Sequence, residues 1–419
     1  MFLRRDYCRV CGFAKNKIDH IKSLQTDEHL LPVFDLDLQP PPNDFKRATD
    51  PHCGFYPLKV LFCPRCGLAQ LSVAVDPVEL YGNYAYTTSQ SKTMQEHFLS
   101  LITQIKAVHK LGNVLEIGSN DGTFLEFLKN NGADKVIGID PAQNLAAIAN
   151  WRGLNTIPEM FNESSGTRVK QQLGKIDTIF ARHVFCHMDD WQGLMKTLRA
   201  VTHDGSLIVI EVPYAVDLLR NTELDTIYAE HLSYLSLKPF VTLLANTPFY
   251  LHDVLPLDIH GGAIALLVKQ RNLNGTTSAM ALDMFRREDI KREDWRDFST
   301  RAHKQIANLR DTIRRLRSEG KRVAGYGAPA KSTVWINACG FTRNDLEFVT
   351  DTTPGKQWTF VPGTDIPVTD PGALIRERPD YCVLWSWNYR IEILAKETYY
   401  VEHGGKFIVP VPQVEIYPK

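Results

Sequence analysis

Long apolar runs are missing from this chain of 419 residues. No stretch reaches the roughly 20 consecutive apolar residues that a bilayer-spanning helix needs. The start, Met1-Phe-Leu-Arg-Arg-Asp, lacks the apolar core of a signal peptide, so a cytoplasmic location without membrane contact is expected. Net charge is missing too: Lys plus Arg and Asp plus Glu number 48 each, which removes any overall pull toward nucleic acid and leaves only local basic sites. Cysteine is scarce, at 8 residues, too few to staple a chain of this length with disulfides. No internal repeat stands out beyond two glycine turns, and neither carries the dinucleotide fingerprint G-x-G-x-x-G. What remains is a chain 44% hydrophobic, long enough to bury more than one core and to divide into two or three domains.

The first glycine turn is Leu115-Glu116-Ile117-Gly118-Ser119-Asn120-Asp121-Gly122. Val114 to Ile117 has the length and apolarity of a buried strand, the glycines permit a tight turn, and a helix is expected from Thr123 to Lys129. A second strand, Lys135 to Asp140, ends in a carboxylate 22 residues after Gly118, near the offset at which an open α/β sheet places an acid on a ribose. The acid at Glu116 would repel a diphosphate but would accept hydrogen bonds from a cationic amino-acid ligand. This segment resembles the first motif of the S-adenosylmethionine-dependent methyltransferases. The resemblance implies cofactor contacts at Glu116, Gly118, Asn120, Asp121, Asp140 and Pro141, with Arg182 and His183 joining them after the third strand.

Half of the cysteines form two pairs, Cys8-Arg-Val-Cys11 and Cys63-Pro-Arg-Cys66, each followed by glycine. Two such knuckles complete a tetrahedral four-thiolate zinc site with no open position, hence a structural metal. A redox role or a nucleic-acid-binding ribbon are the alternatives, the second weakened by the lack of basic residues beside the knuckles. The intervening segment holds Cys53, a candidate fifth ligand without a knuckle partner. It also holds Leu36-Asp-Leu-Gln-Pro-Pro-Pro-Asn43, an extended stretch expected over a surface or a cleft.

From Leu99 to about Val268 the pattern alternates helix and strand, with strands at Ile176–Ala181 and Ser206–Val212 and a Gly-Gly bend leading into another at Ala263–Val268. Ligands bind outside the carboxyl ends of such strands, which brings Arg182, His183, Cys186, His187, Glu211, Pro213 and Tyr214 toward a site. Tyr81 to Ser91 is dense in phenols and hydroxyls, suited either to a sugar or to a domain interface. Tyr228-Ala-Glu230-His231-Leu-Ser-Tyr234 puts an imidazole, a carboxylate and two phenols within seven residues, and an imidazole takes a proton near neutrality. Methyl transfer to carbon needs such a base, whereas transfer to sulfur or an amine often does not.

The order of these segments, with Phe185-Cys-His-Met-Asp-Asp190 and Gly325-Tyr-Gly-Ala-Pro-Ala-Lys-Ser332, resembles the sugar C-methyltransferases of deoxysugar biosynthesis over essentially the whole chain. The resemblance implies an α/β fold: a zinc-binding module at residues 1–75, a Rossmann-like methyltransferase domain at 76–270 and a second Rossmann-like domain at 271–419. It further implies S-adenosylmethionine, structural zinc and a nucleotide-linked 4-keto-6-deoxyhexose; dTDP is the expected nucleotide and a monomer the expected state, although the sequence itself leaves the base and the oligomeric state open. His231 then removes the proton at C3, with Tyr228, Glu230 and His187 around the reacting sugar, and Tyr84, Tyr86, Lys331, Ser332 and Asn388 as further substrate contacts. His183 stands where a smaller amide residue is expected. A bifunctional methyltransferase and ketoreductase, a non-catalytic scaffold, and an O- or N-methyltransferase are the rival readings.

The charged stretch from Met284 to Arg317 is expected to form a solvated helix. After it, the second glycine turn opens a helix whose free N–H groups, with Lys331 and Ser332, suit a diphosphate, unless the turn merely packs two domains.

Overall fold

The computed structural model describes residues 2–14, 29–82, 84, 92–272 and 275–418. Three principal sheets organise them. The central one has seven strands in the order Phe249–Leu257, Ala263–Gln270, Leu207–Pro213, Thr178–Arg182, Asn113–Ile117, Lys135–Ile139 and Thr156–Ile157. The last five run parallel, and Ala263–Gln270 is antiparallel to both neighbours. Chain order reverses between Asn113–Ile117 and Thr178–Arg182, and a crevice opens outside the carboxyl ends of strands at such a reversal. The parallel strands read as unbroken apolar runs because helices cover both faces, and Val114, Leu115, Ile179 and Phe180 are fully buried.

The carboxyl-terminal sheet has six strands in the order Val368–Thr369, Val349–Thr350, Val323–Tyr326, Tyr381–Leu384, Lys406–Val409 and Glu415–Tyr417, all parallel except the last. It reverses between Val323–Tyr326 and Tyr381–Leu384, so its own crevice lies over the second glycine turn. The amino-terminal sheet is antiparallel, in the order Ser233–Tyr234, Ala69–Leu71, Tyr56–Phe62 and Leu31–Gln39. Its edge strand Ser233–Tyr234 comes from deep within the methyltransferase span, directly after His231, which fastens that segment to the cysteine module.

The charged stretch departs from its expected form. It makes two helices, Ala279–Arg287 and Arg292–Ser318, and the longer one is not solvated all round. Trp295, Phe298, Ala302, Ile306, Leu309, Ile313 and Leu316 recur every three or four residues, are buried, and join a core shared with the amino- and carboxyl-terminal sheets. Phe298 meets Phe34 edge-on at 5.2 Å between ring centres. No helix among the described residues is long and apolar enough to cross a membrane.

Candidate active site

The two cysteine knuckles converge. Cys8 and Cys66 Sγ lie 3.5 Å apart, Cys11 and Cys63 Sγ 3.7 Å, and all four sulfurs fall within 4.8 Å of one another. A tetrahedron with Zn–S bonds of about 2.3 Å has edges of roughly 3.8 Å, so this donor set fits zinc. Gly12 and Gly67 adopt φ of +65° and +80°, letting their N–H groups return to the Cys8 and Cys63 carbonyls at 3.0 and 2.9 Å. Cys53 lies apart from this cluster, its thiol donating to the Asp44 carbonyl at 3.3 Å. Between the thiolates sits Arg9, which is buried. Its Nε donates to Asp189 at 2.9 Å, and its Nη1 to the Leu71 and Leu232 carbonyls at 2.7 and 3.4 Å.

A cavity of ≈ 450 Å³ lies where the three sheets meet. Gly118, Asn120, Asp140 and Pro141 line one end. Gly118 has φ +73°, and a Cβ there would overlap Val184 Cγ2, so only glycine makes this turn freely. Asp140 accepts from the backbone N–H of Asn120 and of Ala142, each at 2.8 Å, and burial raises its pKa. Its remaining lone pairs fit a ribose diol. Arg182 lines the same end, its guanidinium over the Phe98 and Phe124 rings at 4.3 and 4.0 Å. Behind it, Glu116 is fully buried, 3.0 Å from Arg182, and burial pushes its pKa up to about 7 against the pull of that guanidinium. Arg182 Nε has no protein partner, an unsatisfied polar atom of the kind a ligand completes, whereas Glu116, expected to touch the cofactor, does not line the cavity and instead holds Arg182. The glycine cradle, the acid at Asp140 and the unpartnered Arg182 Nε together fit S-adenosylmethionine. Asp121 does not line the cavity: its carboxylate accepts from Thr123 N and Oγ1 at 3.1 and 2.7 Å, within the turn that enters the next helix.

The opposite wall carries the imidazoles. His231 Nδ1 is 2.7 Å from the Thr226 carbonyl, which can only accept, so Nδ1 holds the proton and Nε2 is the bare nitrogen. The Tyr228 hydroxyl donates to that Nε2 at 2.7 Å. Burial, followed by the neighbouring His187, holds the His231 pKa well below that of a free imidazole. His187 packs edge-on against it at 5.1 Å, is 2.9 Å from the Tyr81 hydroxyl, and burial lowers its pKa to about 4. Glu230 stands just behind the wall, accepting from Tyr84 Oη at 2.7 Å and Asn43 Nδ2 at 2.8 Å. Burial raises its pKa to about 7. His183, with φ +53°, donates from Nε2 to the buried Glu211 at 2.9 Å, and His97 donates to the same carboxylate at 3.0 Å. Although burial disfavours its charge, these two donors hold Glu211 well below the carboxylate range.

The carboxyl-terminal sheet closes the third side. Lys331 and Asn388 line the cavity, together with Asp351, Thr353 and Lys356. Lys331 Nζ donates to Asp225 at 3.2 Å and Thr226 Oγ1 at 3.0 Å, and lies over the Trp387 ring at 4.7 Å. Lys356, buried, donates to the Ala328 carbonyl at 2.9 Å. Ser332 does not line the cavity: its hydroxyl donates to the Pro329 carbonyl at 2.7 Å inside its own turn. Tyr86 lies outside the described residues.

Three family models match in chain order: "Putative zinc binding domain" at residues 26–81, "Methyltransferase domain" at 92–254 and "C-methyltransferase C-terminal domain" at 258–412. The chain is 33% identical to the C-methyltransferase NovU of Streptomyces niveus over 422 aligned positions, which cover 98% of this chain and 96% of NovU. The chain belongs to the S-adenosylmethionine-dependent sugar C-methyltransferase family. Solved structures give partial likenesses. An S-adenosylmethionine-dependent methyltransferase from Archaeoglobus fulgidus is 17% identical, with a TM-score of 0.34, and covers 42% of this chain and 94% of its own. The N-methyltransferase NodS from Bradyrhizobium japonicum is 12% identical, with a TM-score of 0.33, and covers 44% and 99%.

In this methyltransferase several cavity residues escape a reading by motif. Asn43 ends the proline-rich stretch that runs over the cleft, and its contact with Glu230 spans 187 positions. Behind the cavity, Asp225 has no local signature, because its partners Lys331, Trp335 and Trp387 lie more than 100 positions away. His260-Gly261-Gly262, readable either as a resemblance to the family's segment near the acceptor or as a plain Gly-Gly bend, puts His260 in the cavity lining, 4.9 Å from the His183 ring.

Proposed function

We propose that the enzyme methylates C3 of a nucleotide-linked 4-keto-6-deoxyhexose by way of an enolate. The observation that carries this reading is the fixed tautomer of His231, whose bare Nε2 is presented in the cavity beside a phenol. A base that stays neutral at neutral pH and is held by a carbonyl suits removal of a proton α to a ketone. His231 Nε2 takes that proton. The Tyr228 hydroxyl, released from Nε2 as the acceptor enters, turns its hydrogen to the developing enolate oxygen. Glu230, held by Tyr84 and Asn43, fixes the wall on which both stand. S-adenosylmethionine, held by Asp140 and the Gly118 turn, supplies the electrophilic methyl. The activated carbon then needs alignment more than further activation.

At the far end of the acceptor, Lys331 and the start of the helix Ala330–Cys339 suit a diphosphate. The nucleotide is proposed to be dTDP and the enzyme to act as a monomer, in the cytoplasm as the charged amino terminus and the lack of long apolar runs suggest. Competition between dTDP- and UDP-linked sugars tests the first, and light scattering the oligomeric state.

The test of the reaction is proton NMR of a dTDP-4-keto-6-deoxyhexose with the enzyme in deuterated water without S-adenosylmethionine. Loss of the C3 signal supports the reading. Exchange confined to C5, the other carbon beside the ketone, moves the methylation there, and no exchange at either carbon removes the enolate route.

A further inference from the structure

The carbonyl that sets the His231 tautomer belongs to Thr226, the last residue of the single turn Leu224–Thr226. The residue before it, Asp225, is fully buried, does not line the cavity, and reaches the carboxyl-terminal sheet. Asp225 Oδ2 accepts from the indole N–H of Trp387 at 2.7 Å and of Trp335 at 3.0 Å, and Oδ1 from Lys331 Nζ at 3.2 Å. Lys331 Nζ also donates to Thr226 Oγ1 at 3.0 Å, so two consecutive residues of the turn are held by one domain while their neighbour His231 is claimed by the other. A carboxylate with three N–H donors is a strong, directional joint, and removing it would leave two indole N–H groups without a partner and take its carboxylate from the Lys331 ammonium.

Building on the reading of His231 as the base, we infer that Asp225 is a positioning residue for the reaction. It pins the turn whose Thr226 carbonyl keeps the proton on His231 Nδ1, and through Lys331 it ties that turn to the end of the cavity suited to the acceptor's phosphates. An ammonium has three N–H groups. With two on Asp225 and Thr226, the third is left for a phosphate oxygen of the acceptor, so one side chain touches both the bound acceptor and the support of the base. The carboxyl-terminal domain is thereby part of the proton-transfer machinery.

The test uses the full-length, zinc-loaded enzyme carrying Asp225→Ala, Asp225→Asn, Lys331→Met, and Asp225→Asn with Lys331→Met. Two readouts are taken: exchange of the acceptor's α-proton into deuterated water, and the ¹⁵N shifts of the His231 ring, with S-adenosylmethionine affinity as the control for folding. Asp225→Ala is expected to slow exchange about 10²-fold, the cost of a misplacement of order 1 Å, with cofactor affinity kept. The ¹⁵N pattern should change from one protonated and one bare nitrogen to a mixture of tautomers. Asp225→Asn keeps an acceptor for the indoles and should fall between Ala and wild type. It also serves if the Ala variant fails to fold. The double variant should be no slower than the worse single one. Wild-type exchange with an unchanged ¹⁵N pattern in the Asp225 variants would overturn the inference. The ¹⁵N pattern needs no acceptor, so it decides the role of Asp225 even if wild-type enzyme shows no exchange, a failure that would belong to the reading of the reaction.

Discussion

Two contacts fix the proton of His231, the proposed base. With Nδ1–H on the Thr226 carbonyl and Nε2 facing Tyr228, the ring has one tautomer and one free direction. His231→Asn should therefore lower methyl transfer about 10²–10⁴-fold while leaving S-adenosylmethionine affinity unchanged, and near-normal turnover of the variant would remove His231 as the base. The pH profile has a definite sign. Burial and the neighbouring His187 disfavour the imidazolium, so the base stays neutral below the ordinary value of 6.5. The acid limb of the α-proton exchange rate should lie below pH 6.5, and a limb at or above it would contradict the assignment. The segment proposed to carry the chemistry could be singled out in the sequence because Tyr228, Glu230 and His231 are neighbours. Asn43 and Asp225 were not, since a short polar residue acquires a role only from partners that folding brings from elsewhere, and a backbone carbonyl such as that of Thr226 carries no side-chain signature.

Among the elements, the strand-to-helix turn at Gly118 was fully visible as a pattern, and the structure adds why glycine is required. Gly118→Ala would place a left-handed backbone on an alanine, at about 1–3 kcal/mol, and drive its Cβ into Val184. Cofactor affinity should fall together with thermal stability, and calorimetric titration of the variant with S-adenosylmethionine tests this. The long helix Arg292–Ser318 shows the opposite case. Its abundance of Lys, Arg, Asp and Glu hid a stripe of buried residues, because charge counting ignores period, whereas spacing by three and four would have marked the stripe. Leu309 is fully buried on that stripe, and Leu309→Ala should cost about 2–5 kcal/mol in denaturant unfolding. A value below 1 kcal/mol would mean that the helix does not anchor the shared core.

At the scale of the whole molecule, three sheets meet at one cavity, and the zinc module is joined to its chemistry through Arg9. That guanidinium binds Asp189, two residues past His187, and reaches the carbonyl of Leu232, next to His231. Metal binding is coupled to folding in such four-thiolate sites, so Cys63→Ser should lose zinc and stability together, and the surviving folded fraction should also lose turnover. Full activity in a zinc-free, folded variant would separate the module from the site. The order of domains was readable from motifs, but their convergence was not, because the ties run between residues more than 100 positions apart. The proposed methyl acceptor is a carbon beside a ketone. The most direct measurement is turnover of a dTDP-4-keto-6-deoxyhexose with S-[methyl-¹³C]adenosylmethionine, followed by carbon–proton correlation NMR. The account predicts a new methyl singlet on C3, correlated to the C4 carbonyl carbon, and a labelled methyl on oxygen or nitrogen would contradict it.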